Sequence, residues 1–374
     1  MGLGEYVGAA ERIEEALRLA PSMSPVGFAL VLGAADWLFA GMSTPVPASV
    51  LPHLAAPHLD ARHRADLSND EAYQRGLAWA TRDINPTVAL LQQEGSEAFT
   101  VYDYALDSLA EQARRVPDVT WPILIRHASP QDLVDVGYVA HVFHGQSWVA
   151  RKAWKKAASS AENDAAPYAI VFLGRLFEEQ GKVEDAKASY QQALDSGHTD
   201  AVPLAALHLG DLLKQHGDVT GARTAYERAA YSTNTWIAVK AHIGTASLLE
   251  EQGDVEGAKA AYQQAIDSRD TELAPLAEVS LGYLLRQQGD AEGAKAAYQR
   301  AIEFGDTDWA PFAHLGLGAA LKELGDLEGA KAAYQQAIDS GHTDAARLAG
   351  DCLELLTAER QLLLMLKELG DERP

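Results

Sequence analysis

Histidines are the residues of this sequence whose type and spacing come closest to metal chemistry. His53, His58 and His63 follow one another at intervals of five residues, and Asp60 lies among them. A spacing of five turns the side chains away from a common helical face, and two prolines interrupt the segment. We therefore predict no metal site there.

A second histidine pair and the single cysteine do not indicate a catalytic centre either. His141 and His144 share a helical face, but two histidines without a carboxylate nearby in sequence leave a zinc site incomplete, so we expect them in the core or at a groove edge. Cys352 is alone, which excludes an internal disulfide. The chain contains no GxSxG, HExxH or CxxC motif and no Gly-rich phosphate loop. We predict that the protein is not an enzyme and needs no cofactor; the alternative is an enzyme with a hidden site in the N-terminal part.

The formal net charge of -22 at pH 7 limits the partners of the chain. Nucleic acid is disfavoured as a partner, because phosphate contacts need cations and the overall field repels the backbone. Arg151, Lys152, Lys155 and Lys156 form one local basic cluster. We interpret this cluster as a solvated helix face, with phosphate binding as the alternative.

The sequence predicts no association with a membrane. Its most apolar run, residues 26–42, is 17 residues long and contains Asp36, whereas a membrane-spanning helix needs about 20 apolar residues. The first residues are acidic where a secretory signal is basic, and one unpaired cysteine suits a reducing compartment. We therefore predict a cytoplasmic location.

Five segments of the chain recur at a constant interval. The most alike are GDVEGAKAAYQQAIDS from Gly253, GDAEGAKAAYQRAIEF from Gly289 and GDLEGAKAAYQQAIDS from Gly325, and weaker copies begin at Gly181 and Gly217, 36 residues apart throughout. A fixed period of this size indicates a solenoid. Apolar residues at helical spacing on both sides of the Gly-Asp pair predict a helix, a tight turn and a second helix in each unit.

Proline, small residues and threonine mark the first helix of each unit. Proline is tolerated in a first helical turn, small residues allow two helices to approach closely, and threonine can cap a helix. The prolines are Pro167, Pro203, Pro275 and Pro311, the small residues are Gly174, Gly210, Ala246, Gly282 and Gly318, and the predicted caps are Thr199, Thr307 and Thr343.

One tyrosine stands in the middle of every second helix, with alanines on both sides of it at helical spacing. A buried tyrosine ring removes on the order of 150 to 250 Å² from water. We predict that these rings form the core, rather than an aromatic cage for a ligand. They are Tyr190, Tyr226, Tyr262, Tyr298 and Tyr334.

The sequence divides into three parts. Residues 1–128 are predicted to form a non-repetitive helical domain, with helices near 70–81 and 98–115 and without a convincing strand pattern. Residues 129–346 hold six units. The first unit follows the period, since Trp154 stands 36 residues before Tyr190, but it is degenerate because Tyr138 replaces the small residue of the first helix. Residues 347–374 are predicted to close the array as a helix.

The repeated residues resemble tetratricopeptide repeats, and Sel1-like repeats are close relatives. Leu173, Gly174, Phe177, Ala186, Tyr190 and Ala193 stand where that family keeps Leu, Gly, an aromatic residue, Ala, an aromatic residue and Ala. The resemblance covers residues 131–346, with units of 36 residues against about 34 in the family. It implies an all-α solenoid, a right-handed superhelix of helix pairs whose first helices line a concave groove for a protein or peptide.

Carried onto this sequence, the resemblance places one face of each first helix in the groove. Packing of the same residues against neighbouring units is the alternative. Two aromatic residues in the turn between two units, Tyr231 and Trp236, are candidates for a binding hot spot, or else fill a local gap. The implied groove residues are Tyr168, Arg175, Leu204, Asp211, Lys214, Lys240, Ser247, Leu276, Tyr283, Arg286, Phe312 and Lys322.

The first part of the chain resembles a segment of larger regulators. FALVLGAADWLFAG, YDYALDSLAEQARRVP and IRHASPQDL look like the helical segment before the tetratricopeptide array of actinobacterial STAND-type NTPase proteins. The resemblance implies a sensor or scaffold in a bacterial regulatory or defence system, although this chain has no GxxxxGK[ST] loop. A free-standing adaptor or co-chaperone-like scaffold is the alternative.

The closing helix is apolar over a wide arc around the sequence LLLML. A terminal helix of a solenoid should instead present a polar outer face. We therefore predict that residues 347–374 pack on a second copy of the chain or on additional sequence.

Overall fold

The computed structural model describes residues 3–84, 88–95, 97–112, 115–160, 164–305 and 308–371. It contains two compact units, one ending at Lys182 and the other beginning at Val183. The boundaries at residues 128 and 346 that the sequence suggests stay predictions. In the described part, no helix combines the length and the apolar character that a bilayer crossing requires.

The first unit is built mainly from helices around one central helix. Its helices are α1 (Leu3–Met23), α2 (Pro25–Phe39), α3 (Leu51–Ala55), α4 (Ala61–Arg64), α5 (Asp70–Ala80), α6 (Asp103–Ala110), α7 (Trp121–His127), α8 (Pro130–Val142), α9 (Ser147–Ala158) and α10 (Ala165–Glu179), with 3-10 turns at Ala56–His58 and Ala65–Ser68. α2 packs against α1, α3 and α5, and its Leu30, Val31 and Trp37 are at most 1% exposed. Such complete burial of a helix explains why its sequence is apolar on nearly every side.

A small antiparallel sheet corrects the sequence prediction for the first unit. Its strands are β1 (Val46–Pro47), β2 (Leu91–Glu94) and β3 (Ala98–Val101), with β3 in the middle. The helix predicted at 98–115 is therefore wrong at its start, since Phe99 and Val101 alternate with less buried neighbours and α6 begins only at Asp103. Strands of two to four residues are too short to give a recognisable alternation. The helix predicted near residues 70–81 is confirmed by α5.

The second unit is a stack of helix pairs, which confirms the predicted all-α solenoid. Its helices are α11 (Val183–Asp195), α12 (Ala201–Gln215), α13 (Val219–Ala230), α14 (Thr235–Glu251), α15 (Val255–Asp267), α16 (Ala274–Gln287), α17 (Ala291–Glu303), α18 (Ala310–Glu323), α19 (Leu327–Asp339) and α20 (Thr343–Asp371). Each helix packs on the next one, and α12, α14, α16, α18 and α20 also contact one another in sequence order. We call these five the first helices, and α11, α13, α15, α17 and α19 the second helices.

The repeated Gly-Asp turn has the same geometry from unit to unit. Gly253 has φ +77°, in the left-handed region that glycine adopts without strain. The Asp254 carboxylate then accepts the N–H of Gly257 at 3.0 Å and caps the second helix. A Cβ on Gly257 would lie 2.5 Å from that carboxylate, so any other residue at this position would displace the Asp254 side chain.

The turns between units are capped differently from the prediction. Thr199 makes no cap for α12; instead the Nδ1 of His198 accepts the N–H of Ala201 at 3.2 Å. Thr343 is the first residue of α20 rather than a cap in front of it, and Thr307 lies outside the described residues. A histidine ring reaches the free N–H groups of the first turn as well as a hydroxyl does.

One buried aromatic ring fixes the packing of each helix pair. The five repeated tyrosines are at most 3% exposed, as predicted for core residues. A Cβ added to Gly282 would lie 2.7 Å from the Tyr298 ring, and one added to Gly316 of the following unit would lie 2.3 Å from it. The ring therefore lies between the first helix of its own unit and that of the next. The position of Gly316 recurs as His208, Gly244, Ser280 and Cys352.

The degenerate unit keeps this arrangement with larger residues. Trp154 replaces the tyrosine and stacks on Phe172 with ring centroids 5.4 Å apart. The small residue under the Trp154 ring is Gly137, because a Cβ there would lie 2.3 Å from the indole nitrogen. Tyr138, one residue later, is 41% exposed. The degenerate unit thus has its glycine at Gly137, one residue before the position of Tyr138 at which the repeat predicts it.

The closing helix α20 packs through its first half. Ala349 and Leu356 are buried in a cluster with Tyr334. Its apolar side chains at residues 362–366, on which the predicted homodimer depends, lie outside the described side chains.

We expect Tyr262→Ala to lower the free energy of unfolding by about 3 to 5 kcal/mol, because it leaves a cavity among buried alanines. Tyr231→Ala is the matched control: Tyr231 is 89% exposed and its removal should change stability by less than about 0.5 kcal/mol. Urea unfolding measures both variants. Equal midpoints for Tyr262→Ala and the wild type would contradict the assignment of this ring to the core.

Glycine substitutions test the contact between helix and ring. Gly316→Ala should destabilise the protein by about 1 to 3 kcal/mol, since its methyl group would enter the Tyr298 ring. Gly350→Ala, in α20, would meet no atom within 4 Å, so it should stabilise the protein by about 0.5 to 1 kcal/mol through helix propensity. Thermal unfolding followed by circular dichroism should give opposite signs; the same sign for both would show that the ring does not restrict Gly316.

Candidate functional site

Two cavities lie along the first helices of the second unit. The charged cavity has a volume of about 620 Å³ and is lined mainly by α12 and α14. The apolar cavity has a volume of about 570 Å³ and is lined mainly by α16, α18 and the start of α20. Both volumes fall within the range that binding pockets usually have.

The charged cavity holds two cations and two carboxylates. Lys214 pairs with Glu251 at 3.1 Å and also donates to the hydroxyl of Ser247. On the opposite side the hydroxyl of Tyr226 donates to Asp211 at 2.7 Å. The sequence-predicted residues Asp211, Lys214, Lys240 and Ser247 all line this cavity.

The environment of the charged cavity shifts two pKa values. The Asp211 carboxylate is exposed at the surface, but the surrounding walls withdraw water from it and raise its pKa; the Tyr226 hydroxyl and the ammonium groups of Lys240 and Lys214 act in the opposite direction. Burial, followed by the charge of Asp211, raises the pKa of Tyr226. Tyr226 is therefore a hydrogen-bond donor at neutral pH.

The apolar cavity exposes large apolar side chains in a concave surface. Tyr283 is 48% and Leu348 38% exposed, and Trp309 lies beside Phe312 with ring centroids 5.9 Å apart. The sequence-predicted residues Leu276, Tyr283, Arg286 and Phe312 line it together. Apolar surface left open to water in a pocket is where an apolar ligand group gains binding free energy.

Arg286 supplies the only cation among the residues that line the apolar cavity. Its guanidinium donates to Glu323 at 2.8 Å and lies 5.8 Å from the centre of the Tyr283 ring. Burial lowers the pKa of Arg286, but the hydrogen bond and charge of Glu323 outweigh burial and the pKa is raised. The Nε–H group is buried and has no partner in the part of the chain that the structure describes.

A ladder of ion pairs joins neighbouring first helices. Lys214 pairs with Glu251, Arg286 with Glu323 at 2.8 Å, and Lys322 with Glu359 at 2.8 Å. In each case the carboxylate belongs to the following first helix. Partly exposed pairs of this kind contribute little to stability, but they orient the cations along the groove wall.

The other sequence-predicted residues lie outside the two cavities. Leu204 is half-buried, and Lys322 takes part in the ion-pair ladder. Tyr168 packs against the core of the first unit, where Arg175 lines a separate cavity of about 290 Å³. The two hot-spot candidates, Tyr231 and Trp236, differ: Tyr231 is exposed at the end of α13, whereas Lys240 lies over the Trp236 ring at 5.5 Å.

Leu348, Cys352 and Trp309 are among the residues of the apolar cavity that sequence reasoning missed. Leu348 stands 36 residues after Phe312, so extending the predicted groove positions into α20 would have found it. Cys352 stands 36 residues after Gly316, a position that was not predicted to line the groove. Trp309 lies in front of the helix-opening proline, and no repeated pattern marks it.

The histidines singled out by spacing lie apart. His58 pairs with the buried Asp36 at 2.6 Å, and His63 contacts Asp60 at 2.9 Å, while His53 is exposed. Across the described ranges, no three His, Cys, Asp or Glu side chains are placed to hold a metal ion.

The second histidine pair also separates. His141 pairs with Glu179 at 2.8 Å, whereas His144 packs edge-on against Trp121 with ring centroids 5.3 Å apart. Burial lowers the pKa of His144. The two rings therefore do not converge on a common ligand.

The raised pKa of Asp211 predicts a pH-dependent effect of Asp211→Asn. A carboxyl whose pKa is higher in the folded than in the unfolded chain binds its proton more tightly when folded, so its contribution to stability falls as pH rises from about 3.9 through the raised value. The variant should therefore gain stability relative to the wild type over that interval. Urea unfolding from pH 3.5 to 7 measures it, with the exposed Glu272→Gln as a control; a constant difference for Asp211→Asn would contradict the shift.

Comparison with known proteins agrees with the repeat geometry. Family models described as tetratricopeptide repeat match residues 173–235, 243–308 and 313–340. No curated protein matches the chain.

Several solved structures have a similar arrangement of helices. PilW, a type IV pilus biogenesis factor, is 14% identical to this chain. The match covers 58% of this chain and 96% of the PilW chain, with a TM-score of 0.46. Pseudomonas aeruginosa pilF is also 14% identical. The match covers 58% of this chain and 95% of the pilF chain, with a TM-score of 0.47. A MamA protein is 18% identical to this chain. The match covers 48% of this chain and 93% of the MamA chain, with a TM-score of 0.39. The family models, together with the stacked helix pairs, identify the chain between residues 173 and 340 as an array of tetratricopeptide repeats.

Proposed function

We propose that this chain is a non-catalytic module that binds a polypeptide segment along the first helices of its second unit. The observation that supports it is the apolar cavity, where Tyr283 and Leu348 leave large apolar surfaces accessible at a concave wall. Scattered apolar residues on a convex surface are ordinary, but a concave cluster of them is typical of a binding site.

The two cavities favour a ligand with two different parts. The apolar cavity suits one large apolar side chain, which would be removed from water between Tyr283 and Phe312. The charged cavity offers donors from Lys214 and Lys240 and an acceptor from Asp211, which suit polar side chains or an exposed peptide backbone. A polypeptide with an apolar anchor beside a polar stretch matches both.

The wider role of the module remains a proposal from the sequence. A sensor or scaffold in a cytoplasmic regulatory or defence system, whether attached to an NTPase or free-standing as an adaptor, would use the groove in the same way. We also propose a homodimer through residues 347–374.

Peptide selection followed by matched variants tests the groove. Random peptides displayed on phage are selected on the full-length chain, and the enriched peptides are then titrated by fluorescence anisotropy. The double variant Tyr283→Ala with Arg286→Gln should lose affinity by about tenfold or more, because buried anchors dominate binding. We expect the enriched peptides to share a large apolar residue.

The control variant is Lys331→Gln with Gln335→Ala, on exposed positions of α19, and it should bind as the wild type does. Circular dichroism verifies that both variants are folded. Equal affinity of the groove variant and the control variant would refute the groove assignment, and so would a selection that enriches no peptide.

A further inference from the structure

The outward face of α9 differs chemically from the rest of the chain. Trp148, Arg151, Lys152 and Lys155 lie on one side of this helix, and all four are exposed. The opposite side, which includes the buried Trp154, packs into the first unit. From residue 136 to residue 161 the sequence contains four basic residues and no acidic one, in a chain whose net charge is -22.

The repeat shows what this face looks like in other units. At the positions of Trp148, Arg151, Lys152 and Lys155, four second helices carry Glu, Lys, Ala and Gln. These are Glu184, Lys187, Ala188 and Gln191 in α11, Glu256, Lys259, Ala260 and Gln263 in α15, Glu292, Lys295, Ala296 and Gln299 in α17, and Glu328, Lys331, Ala332 and Gln335 in α19. The repeated face is therefore electrically neutral, and that of α9 is basic.

In the repeated units the glutamate neutralises the lysine that follows it. Lys259 pairs with Glu256 at 3.0 Å, and the equivalent pairs of α11 and α17 close at 3.4 Å. In α9 Trp148 replaces the glutamate that pairs with the cation three residues later in those helices. Within the described residues, Arg151, Lys152 and Lys155 make no ion pair with a carboxylate.

Packing does not account for the basic face. The inward residues of α9 follow the repeat, with Ala150, Trp154 and Ala157 at the positions of Ala186, Tyr190 and Ala193, so the exchange is confined to the exposed side. Like charges four residues apart, as in Arg151 and Lys155, destabilise a helix slightly. The fourth cation, Lys156, has a structural role, since its ammonium group donates to the carbonyl of Ile125 at 2.5 Å.

We infer that the outward face of α9 binds an acidic polypeptide segment, at a site separate from the groove. Its carboxylates would pair with Arg151, Lys152 and Lys155, and an apolar side chain would cover the Trp148 ring. That ring is held in place, because its Nε1–H donates to Gln146 at 2.9 Å. Burying such pairs beside an aromatic ring removes water from both.

Charge and shape favour this partner over other anions. A nucleic acid carries one charge about every 1.7 Å of duplex, and the field of a chain with charge -22 repels so dense an anion more than it repels a short acidic peptide. A bilayer surface requires a broad apolar area beside the cations, whereas the outward face of α9 presents one apolar residue.

The test uses a labelled peptide of alternating glutamate and aspartate with one central phenylalanine, and its glutamine and asparagine counterpart. Fluorescence anisotropy with the full-length chain should show binding of the acidic peptide only. Binding should weaken as salt rises from about 0.1 M to 1 M, where the Debye length falls from about 10 Å to about 3 Å.

A triple variant, W148E/K152A/K155Q, gives the outward face of α9 the neutral charge of the repeated second helices. It should keep its thermal stability, because the new carboxylate can pair with Arg151 as Glu256 pairs with Lys259, and it should lose about tenfold or more in affinity for the acidic peptide. The matched control, K187Q/K259Q/K295Q, lowers the net charge by the same amount on other second helices and should bind as the wild type does.

Three outcomes overturn the inference. The first is an equal loss of affinity in both triple variants, which would show a long-range charge effect. The second is absence of binding to the acidic peptide. The third is binding only to a single-stranded oligonucleotide, or only to phosphatidylcholine vesicles with about one-fifth phosphatidylserine. The groove variant with Tyr283→Ala and Arg286→Gln should bind the acidic peptide normally, which separates this inference from the proposed groove.

Discussion

The contact between a buried aromatic ring and the first helices on both sides of it holds the array together. Tyr298 shows it most clearly, with Gly282 of its own unit and Gly316 of the next unit both too close to the ring for an added methyl group. Because one ring contacts two successive units, each unit completes the core of its neighbour. The alanines before and after the tyrosine serve the same contact, since larger residues would separate the helices.

The same rings connect the core to the candidate site. The hydroxyl of Tyr226, which lines the charged cavity, donates to Asp211 at 2.7 Å, and the hydroxyl of Tyr262, which lines the apolar cavity, donates to Glu250 at 3.2 Å. The rings of Tyr226 and Tyr262 are thus core residues, while their oxygens belong to the candidate site. Truncating a repeated tyrosine to phenylalanine would separate the two contributions, because it keeps the ring and removes the oxygen.

The repeat phase made much of the fold readable from the sequence. It places the turns at Gly253 and its equivalents, the rings in the core, and Leu276, Tyr283 and Phe312 on one face, because a constant period fixes which side of each helix is buried. The first unit is harder to predict, since β1 has two residues and α2 is buried on nearly all sides. The depth of the cavities was also not predictable, since it depends on which residue faces each ring. A histidine at position 208 fills space that Gly316 leaves open.

The constant period separates what the units share from what distinguishes them. Four of the second helices are nearly interchangeable, whereas α12, α14, α16 and α18 differ from one another at the predicted groove positions. Removing one whole period would leave each remaining ring with the small residue on the first helix of its own unit, as Tyr298 has Gly282. It would nevertheless shorten by 36 positions the sequence separation between first-helix residues on the two sides of the deletion. A change by one whole period therefore keeps the contacts of the core in phase, while it alters the order of the side chains along the first helices.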